Sequence, residues 1–211
     1  RLSLEWSRIQ PAPDRWDEDA LDFYRSMLKG LHERNITPMV TLHHFTEPLW
    51  VTDQGAWENE ATVALFAAYV RRAVEALKGH CSLWCTINEP NVYAIEGYLR
   101  GSYPPGTYSL KKFSLVQANL LRAHAAAYRI IHELQPEAQV GYALHFRPQQ
   151  PAHPKFPLDA WMSRLKFSVI NMAFPSGISS GVMRTPLGKI PIPEAKGTQD
   201  YLGLNYYNPD T

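Results

Sequence analysis

The chain has 211 residues, 45% hydrophobic, 12% aromatic and 19% charged, a globular composition with ample core and one domain expected over 1–211. Lys and Arg number 21 against 20 Asp and Glu, and a net charge of +1 argues against nucleic acid or another polyanion as the main partner. No apolar run reaches the roughly 18 residues of a membrane-spanning helix, so no membrane partner is expected.

Six Trp and eleven Tyr serve a large core and can also make flat platforms for sugar rings. Cys81 and Cys85 have no second pair to form a metal motif. They read as buried free thiols, which favours a reducing, cytoplasmic setting. The chain starts at Arg1 without Met or a signal-like segment, and residues 1–9 already read as a strand. The start is therefore expected to lie inside a longer protein.

In residues 1–9 Leu2, Leu4 and Trp6 fall on one face and Arg1, Ser3 and Glu5 on the other, the period of a strand. Its polar face suits either solvent or a polar barrel interior. Pro11 and Pro13 break it, and Asp17 opens a helix to about Arg34 with Leu21, Tyr24, Leu28 and Leu31 as its apolar stripe. A strand over 37–45 ends in His43 and His44, a loop holds Gly55 and Trp57, and an alanine-rich helix spans about 59–78 before Gly79. Glu5 and Arg8 are expected to be structural, as a salt bridge or a rim pair, and Trp57, Trp84 and Tyr206 packing residues.

Residues 83–90 read Leu-Trp-Cys-Thr-Ile-Asn-Glu-Pro. Proline has no backbone N–H and suits no central strand, so the strand ends at Glu89. Asn88 and Glu89 are thereby put at the carboxyl end of a buried strand, where parallel α/β folds place chemistry. A carboxyl there is partly desolvated, which raises its pKa and lets it hold a proton near neutral pH. The plain alternative is a strand-end carboxylate paired with a loop cation.

The stretch 97–106 is a loop by its Gly and Pro content, and a helix is expected over about 114–134. A strand follows at 139–145, ending in His145, then a Pro-rich loop at 148–157 and a helix at about 159–173. Residues 175–197 read as loop, punctuated by Pro186, Gly188, Pro191, Pro193 and Gly197. A last strand covers 200–208, with Asn205 to Asn208 at its polar end. Strands alternating with helices predict a parallel sheet with right-handed crossovers. Neither a G-x-G-x-x-G after the first strand nor a P-loop is present, so nucleotide binding has no support. Strands ending polar on one rim are what a (β/α)8 barrel places around its substrate.

Five segments carry a resemblance in order: RLSLEWSRIQP at 1–11, TLHHF at 41–45, TINEP at 86–90, GYLRGSYPPG at 97–106 and LGLNYY at 202–207. Together they make the chain similar to glycoside hydrolase family 1, the retaining β-glucosidases and β-galactosidases on (β/α)8 barrels. The resemblance implies an incomplete TIM barrel, α/β in class, with strands two to six here and one, seven and eight outside. It implies Glu89 as catalytic acid/base, protonating the leaving oxygen and then activating water. Asn88 would bond the sugar 2-hydroxyl, His44 a glycone hydroxyl, and Asn205 would line the pocket. Arg1 and Tyr207 match positions that hold and tune the nucleophile. His43 stays structural, and His145, standing where the family often has Asn, is a candidate pocket residue. The substrate implied is a β-glucoside, β-galactoside or short oligosaccharide, with no cofactor and no metal.

Phe45 replaces a usual Trp, losing an indole N–H donor, and Thr46 replaces a common Asp, departures that bear on glycone preference. A retaining glycosidase needs a second carboxyl about 5–5.5 Å from the first. The resemblance puts it on strand seven, so the 211 residues alone are expected to be inactive. Glu47, Glu96 and Asp200 sit in no context that suggests a substitute. The rival reading is a non-catalytic half-barrel that binds carbohydrate or complements a second fragment. An aldolase-like barrel fails for want of a strand-end Lys.

Overall fold

A computed structural model describes residues 1–207. Five strands form one parallel sheet in the order β1-β2-β3-β4-β7: β1 Leu2–Ser3, β2 Met39–His43, β3 Leu83–Asn88, β4 Gln139–His145 and β7 Tyr201–Asn205. Helices connect them: α1 Trp6–Ile9, α2 Glu18–His32, α3 Leu49–Thr52, α4 Ala61–Leu77, α5 Pro90–Tyr98, α6 Leu110–Leu134, α7 Pro157–Asn171 and α8 Ala173–Ser180. The sheet follows chain order with a helical crossover between neighbours, as in a (β/α)8 barrel, and among the described residues it stays open.

Three long helices cover the outer face because each presents an apolar stripe to it. Leu21 and Leu28 of α2, Phe66, Val70 and Leu77 of α4, and Leu120, Leu121 and Ile131 of α6 join Val40, Leu42, Trp84, Val140 and Tyr142 in one buried cluster. Asp17 caps α2 by accepting the Ala20 N–H, and Ser109 caps α6 through the Lys112 N–H. Deleting one of the buried Leu side chains to Ala costs about 2–5 kcal/mol in such cores.

Register aims the site. Between Cys85 and Asn88 the β3–β4 pairing shifts, so that Cys85 faces Gly141 and Asn88 faces Ala143. Such an irregularity turns the following side chains and recurs beside active sites. Next along, His145 pairs with Asn205. Gly141 is required where it stands: a Cβ there would collide with the Tyr201 carbonyl and ring on β7. The close approach lets the Tyr201 hydroxyl donate to the Trp84 carbonyl at 2.8 Å.

Four expectations are corrected. The strand expected over 1–9 is two residues long, and Trp6–Ile9 is helical, started by Glu5 accepting the Ser7 N–H. Glu5 accepts the Thr46 hydroxyl, while the Arg8 guanidinium lies 4.3 Å from the Phe23 ring centre, so both are engaged structurally but not as a salt bridge with each other. Residues 175–197 are not a loop: α8 runs into a hairpin of β5 Val182–Thr185 and β6 Gly188–Pro191. Tyr206 is 57% exposed, whereas Trp57 and Trp84 are core as expected. Asn208 lies outside the described residues.

Candidate active site

Glu89 terminates β3 and starts α5 in the left-handed backbone region, at φ 48° and ψ 56°. A non-glycine residue there is strained by about 1–3 kcal/mol and persists only where its surroundings hold it. Here the Glu89 N–H donates to the Ala143 carbonyl at 2.7 Å, and the Glu89 carbonyl accepts from Val92 and Tyr93 at 3.0 and 3.1 Å. Pro90 fits the next position because the first helical residue needs no N–H partner. The strand-to-helix corner turns the carboxyl over the sheet's rim, with the residue only 5% exposed.

The expected site residues converge on this corner. Asn205 donates through Nδ2 to Glu89 Oε1 at 2.6 Å and to Asn88 Oδ1 at 3.1 Å. Arg1 donates to the same Asn88 Oδ1 at 2.9 Å, which fixes the amide with Nδ2 pointing elsewhere. The Tyr207 hydroxyl donates to Glu89 Oε1 at 3.3 Å, and its pKa is raised, chiefly by the Glu89 charge. His44 stands at the end of β2 with Nδ1 2.7 Å from the Ser3 hydroxyl. Burial first, then the Arg1 charge, hold His44 below its ordinary value of 6.5, with Glu89 pulling the other way. The lowering favours the neutral ring, which can donate or accept at Nε2.

Phe45, in the left-handed region at φ 71°, lays its ring edge-on to His44 and to Tyr103. His43 points the other way into the core beside Trp57 and Phe66. The site thus offers three carbonyl- or carboxyl-bearing side chains, Asn88, Glu89 and Asn205, with an imidazole, a phenol and a guanidinium beside them.

Two contributors carried weak sequence signals. Ser3 supports His44, and only the polar face of the period-two pattern hinted at it. His145 has Nδ1 3.9 Å from Glu89 Oε2 and lies edge-on to the Tyr207 ring, 5.0 Å between centres. The other carboxylates singled out in the sequence are engaged elsewhere. Glu47 accepts the Tyr93 hydroxyl at 2.8 Å, Glu96 pairs with Arg100 at 3.0 Å, and Asp200 accepts the Val140 N–H at 2.7 Å.

A parallel sheet of barrel order with an Asn–Glu pair at the carboxyl end of a central strand, ringed by donors from its neighbours, defines a (β/α)8-barrel protein with a polar rim site. The chain belongs to glycosyl hydrolase family 1, whose family model matches residues 1–211. Beta-glucosidase A of Acetivibrio thermocellus is 30% identical over 200 residues, covering 94% of this chain and 44% of the relative. A beta-glycosidase structure from Pyrococcus horikoshii superposes with a TM-score of 0.91 at 36% identity, covering 98% of this chain and 47% of the other. Beta-glucosidase from Thermotoga maritima in complex with deoxynojirimycin gives a TM-score of 0.89 at 29% identity, covering 98% and 50%. The chain therefore spans about half the length of the curated relatives it matches.

Proposed function

We propose that residues 1–211 supply the acid/base half of a retaining β-glycosidase acting on terminal β-D-glycosides of the glucoside or galactoside type. The observation that carries this reading is Glu89, a buried carboxyl held at a strained strand-to-helix corner with Oε1 hydrogen-bonded by Asn205 and Tyr207. The beta-glucosidases among its relatives support the substrate class.

Glu89 protonates the glycosidic oxygen as the bond breaks, and as a carboxylate it later takes a proton from the water that releases the sugar. Asn88 presents its Nδ2 to the sugar 2-hydroxyl, because Arg1 and Asn205 occupy its Oδ1. His44 binds a glycone hydroxyl through Nε2 while Ser3 holds Nδ1. Arg1 and Tyr207 flank the position a nucleophilic carboxylate takes in the complete barrel, and Asn205 lines the same pocket. With Glu47, Glu96 and Asp200 engaged elsewhere, the second carboxylate comes from residues outside this stretch.

The test is hydrolysis of an aryl β-glucoside by the protein at the full length of its relatives, with the product anomer followed by proton NMR. The β anomer is expected to appear first and the isolated 211-residue stretch to give no turnover. An α anomer appearing first overturns retention, and turnover by the isolated stretch overturns the division of carboxylates.

A further inference from the structure

His145 is the one titratable side chain that faces the Glu89 oxygen not engaged by Asn205 or Tyr207 among the described contacts. Asn205 and Tyr207 both donate to Oε1, whereas His145 Nδ1 lies 3.9 Å from Oε2. The far side of the ring is occupied too. Arg147 Nε donates to His145 Nε2 at 3.1 Å. A guanidinium only donates, so Nε2 must be the unprotonated nitrogen and the ring proton sits on Nδ1, toward Glu89.

The backbone around this pair is clamped by buried amides. Asn91, two residues past Glu89, donates to the His145 carbonyl at 2.8 Å. Asn171 accepts the Arg147 N–H at 2.9 Å and donates to the Arg147 carbonyl at 2.7 Å. Tyr207 closes the remaining side of the ring, edge-on. A ring gripped at backbone, edge and far nitrogen has its Nδ1–H aimed by the fold.

We propose that His145 is a positioning residue for Glu89: Arg147 fixes its tautomer, and the Nδ1–H it turns toward Oε2 favours the ionised carboxylate needed when water is activated. The inference rests on the reading of Glu89 as the acid/base. An N–H facing a carboxylate stabilises the charged form, so removing it makes Glu89 hold its proton to higher pH. The other groups around Glu89 are Arg1 beside Asn88, His44 at the end of β2, Arg147 behind His145, and Tyr207. None of these side chains is itself changed in the variants at His145.

The experiment measures the pH dependence of kcat/KM on an aryl β-glucoside for the full-length protein and for His145→Leu, His145→Asn and Arg147→Leu. The basic limb reports the acid/base group of the free enzyme. In His145→Leu it is expected to move up by about half a pH unit or more. Asn carries an N–H donor at the same distance from the backbone as Nδ1, so His145→Asn is expected to keep the limb near the parent's. Arg147→Leu frees the tautomer and gives a shift between the two. A limb unmoved in His145→Leu while the parent turns over normally overturns the inference alone, as does an equal shift in His145→Leu and His145→Asn. If the parent itself gives no turnover, the glycosidase reading falls and this inference with it. Should His145→Leu fail to fold, the limb of Arg147→Leu decides: unmoved, it overturns the inference.

Discussion

Glu89 and Glu47 are alike in type, burial and position, yet the structure uses them in opposite ways. Each follows a neighbouring strand of the same sheet, with side chains 6% and 9% exposed respectively, and each has a histidine and a tyrosine beside it. The partners of Glu47 come from the end of β2 and from α5. The Tyr93 hydroxyl donates to Oε1 at 2.8 Å from α5, and His43 Nε2, four residues earlier, lies 3.4 Å from Oε2. That nitrogen is also 3.4 Å from the Trp57 indole nitrogen, and one ring nitrogen satisfies only one of these long contacts at a time. Tyr93 is therefore the firm partner, and burial, then the Glu47 charge, raise its pKa well above the ordinary range. The partners of Glu89 come from the end of β7 and just beyond it, more than a hundred residues along the chain. They bind one oxygen, and the other lies 3.9 Å from His145 Nδ1. Burial and a pair of polar neighbours alone therefore do not distinguish the two carboxylates; what differs is which elements supply the neighbours.

The largest effect that tests this contrast is on turnover. Glu89→Gln in the full-length protein keeps the side chain's shape and loses its proton transfer. Rates on a substrate with a poor leaving group are expected to fall by about a hundredfold to ten-thousandfold, the usual worth of a positioned acid. Glu47→Gln is expected to leave kcat within about threefold, yet to lower unfolding stability by roughly 1–3 kcal/mol, as a charged acceptor is weakened in a buried bond. Parental rates in Glu89→Gln, or a collapse of kcat in folded Glu47→Gln, would reverse the assignment.

A second closed group sharpens the stability side. His124 on α6 is fully buried, with Nδ1 2.7 Å from the Thr86 hydroxyl and Nε2 2.6 Å from the Thr198 carbonyl. A carbonyl only accepts, so Nε2 carries the proton and Nδ1 accepts from Thr86. Burial pushes the ring down from its ordinary 6.5 to about 4. Because the folded value lies below the unfolded one, its contribution is fully present above pH 6.5 and is lost as pH falls through about 4. The loss amounts to about 3 kcal/mol. Urea unfolding between pH 7.5 and 4 is expected to show this slope in the parent and a flatter one in His124→Gln; equal slopes would remove His124 as the cause.

The sheet was legible because its signals are local. Period-two and apolar runs, bounded by Gly and Pro, placed four of the five parallel strands within a few residues, and the strand-end Asn88–Glu89 pair pointed to the site. The misses have physical reasons. Leu2, Leu4 and Trp6 alternate, but Glu5 caps the Ser7 N–H and turns the chain into a helix at Trp6, an event of one hydrogen bond that periodicity does not register. Helix α5 went unrecognised because it is apolar nearly all round, buried between β4 and α6, and so shows no amphipathic stripe; only Pro90 marked its start. In 182–191 the Gly and Pro residues that read as loop are the turn and edges of a hairpin. Arg147, Asn171 and Asn91 could not be found from the sequence, since their role comes from a clamp across 24 and 54 residues of chain.

The smallest effect expected concerns the ring that faces Glu89 from β2. Under the proposed reading His44 meets a sugar hydroxyl through Nε2, while Nδ1 is engaged by the Ser3 hydroxyl at 2.7 Å. Ser3→Ala releases Nδ1 to water and frees the ring to rotate, a loss of one hydrogen bond worth about 0.5–1.5 kcal/mol. KM for an aryl β-glucoside is then expected to rise by about twofold to tenfold. The pH position of the basic limb should not move, because Ser3 touches His44 and not Glu89. In contrast, a limb that moves with KM unchanged would place Ser3 and His44 in the ionisation of Glu89 rather than in sugar binding, and would merge the two sides of the rim that the structure keeps apart.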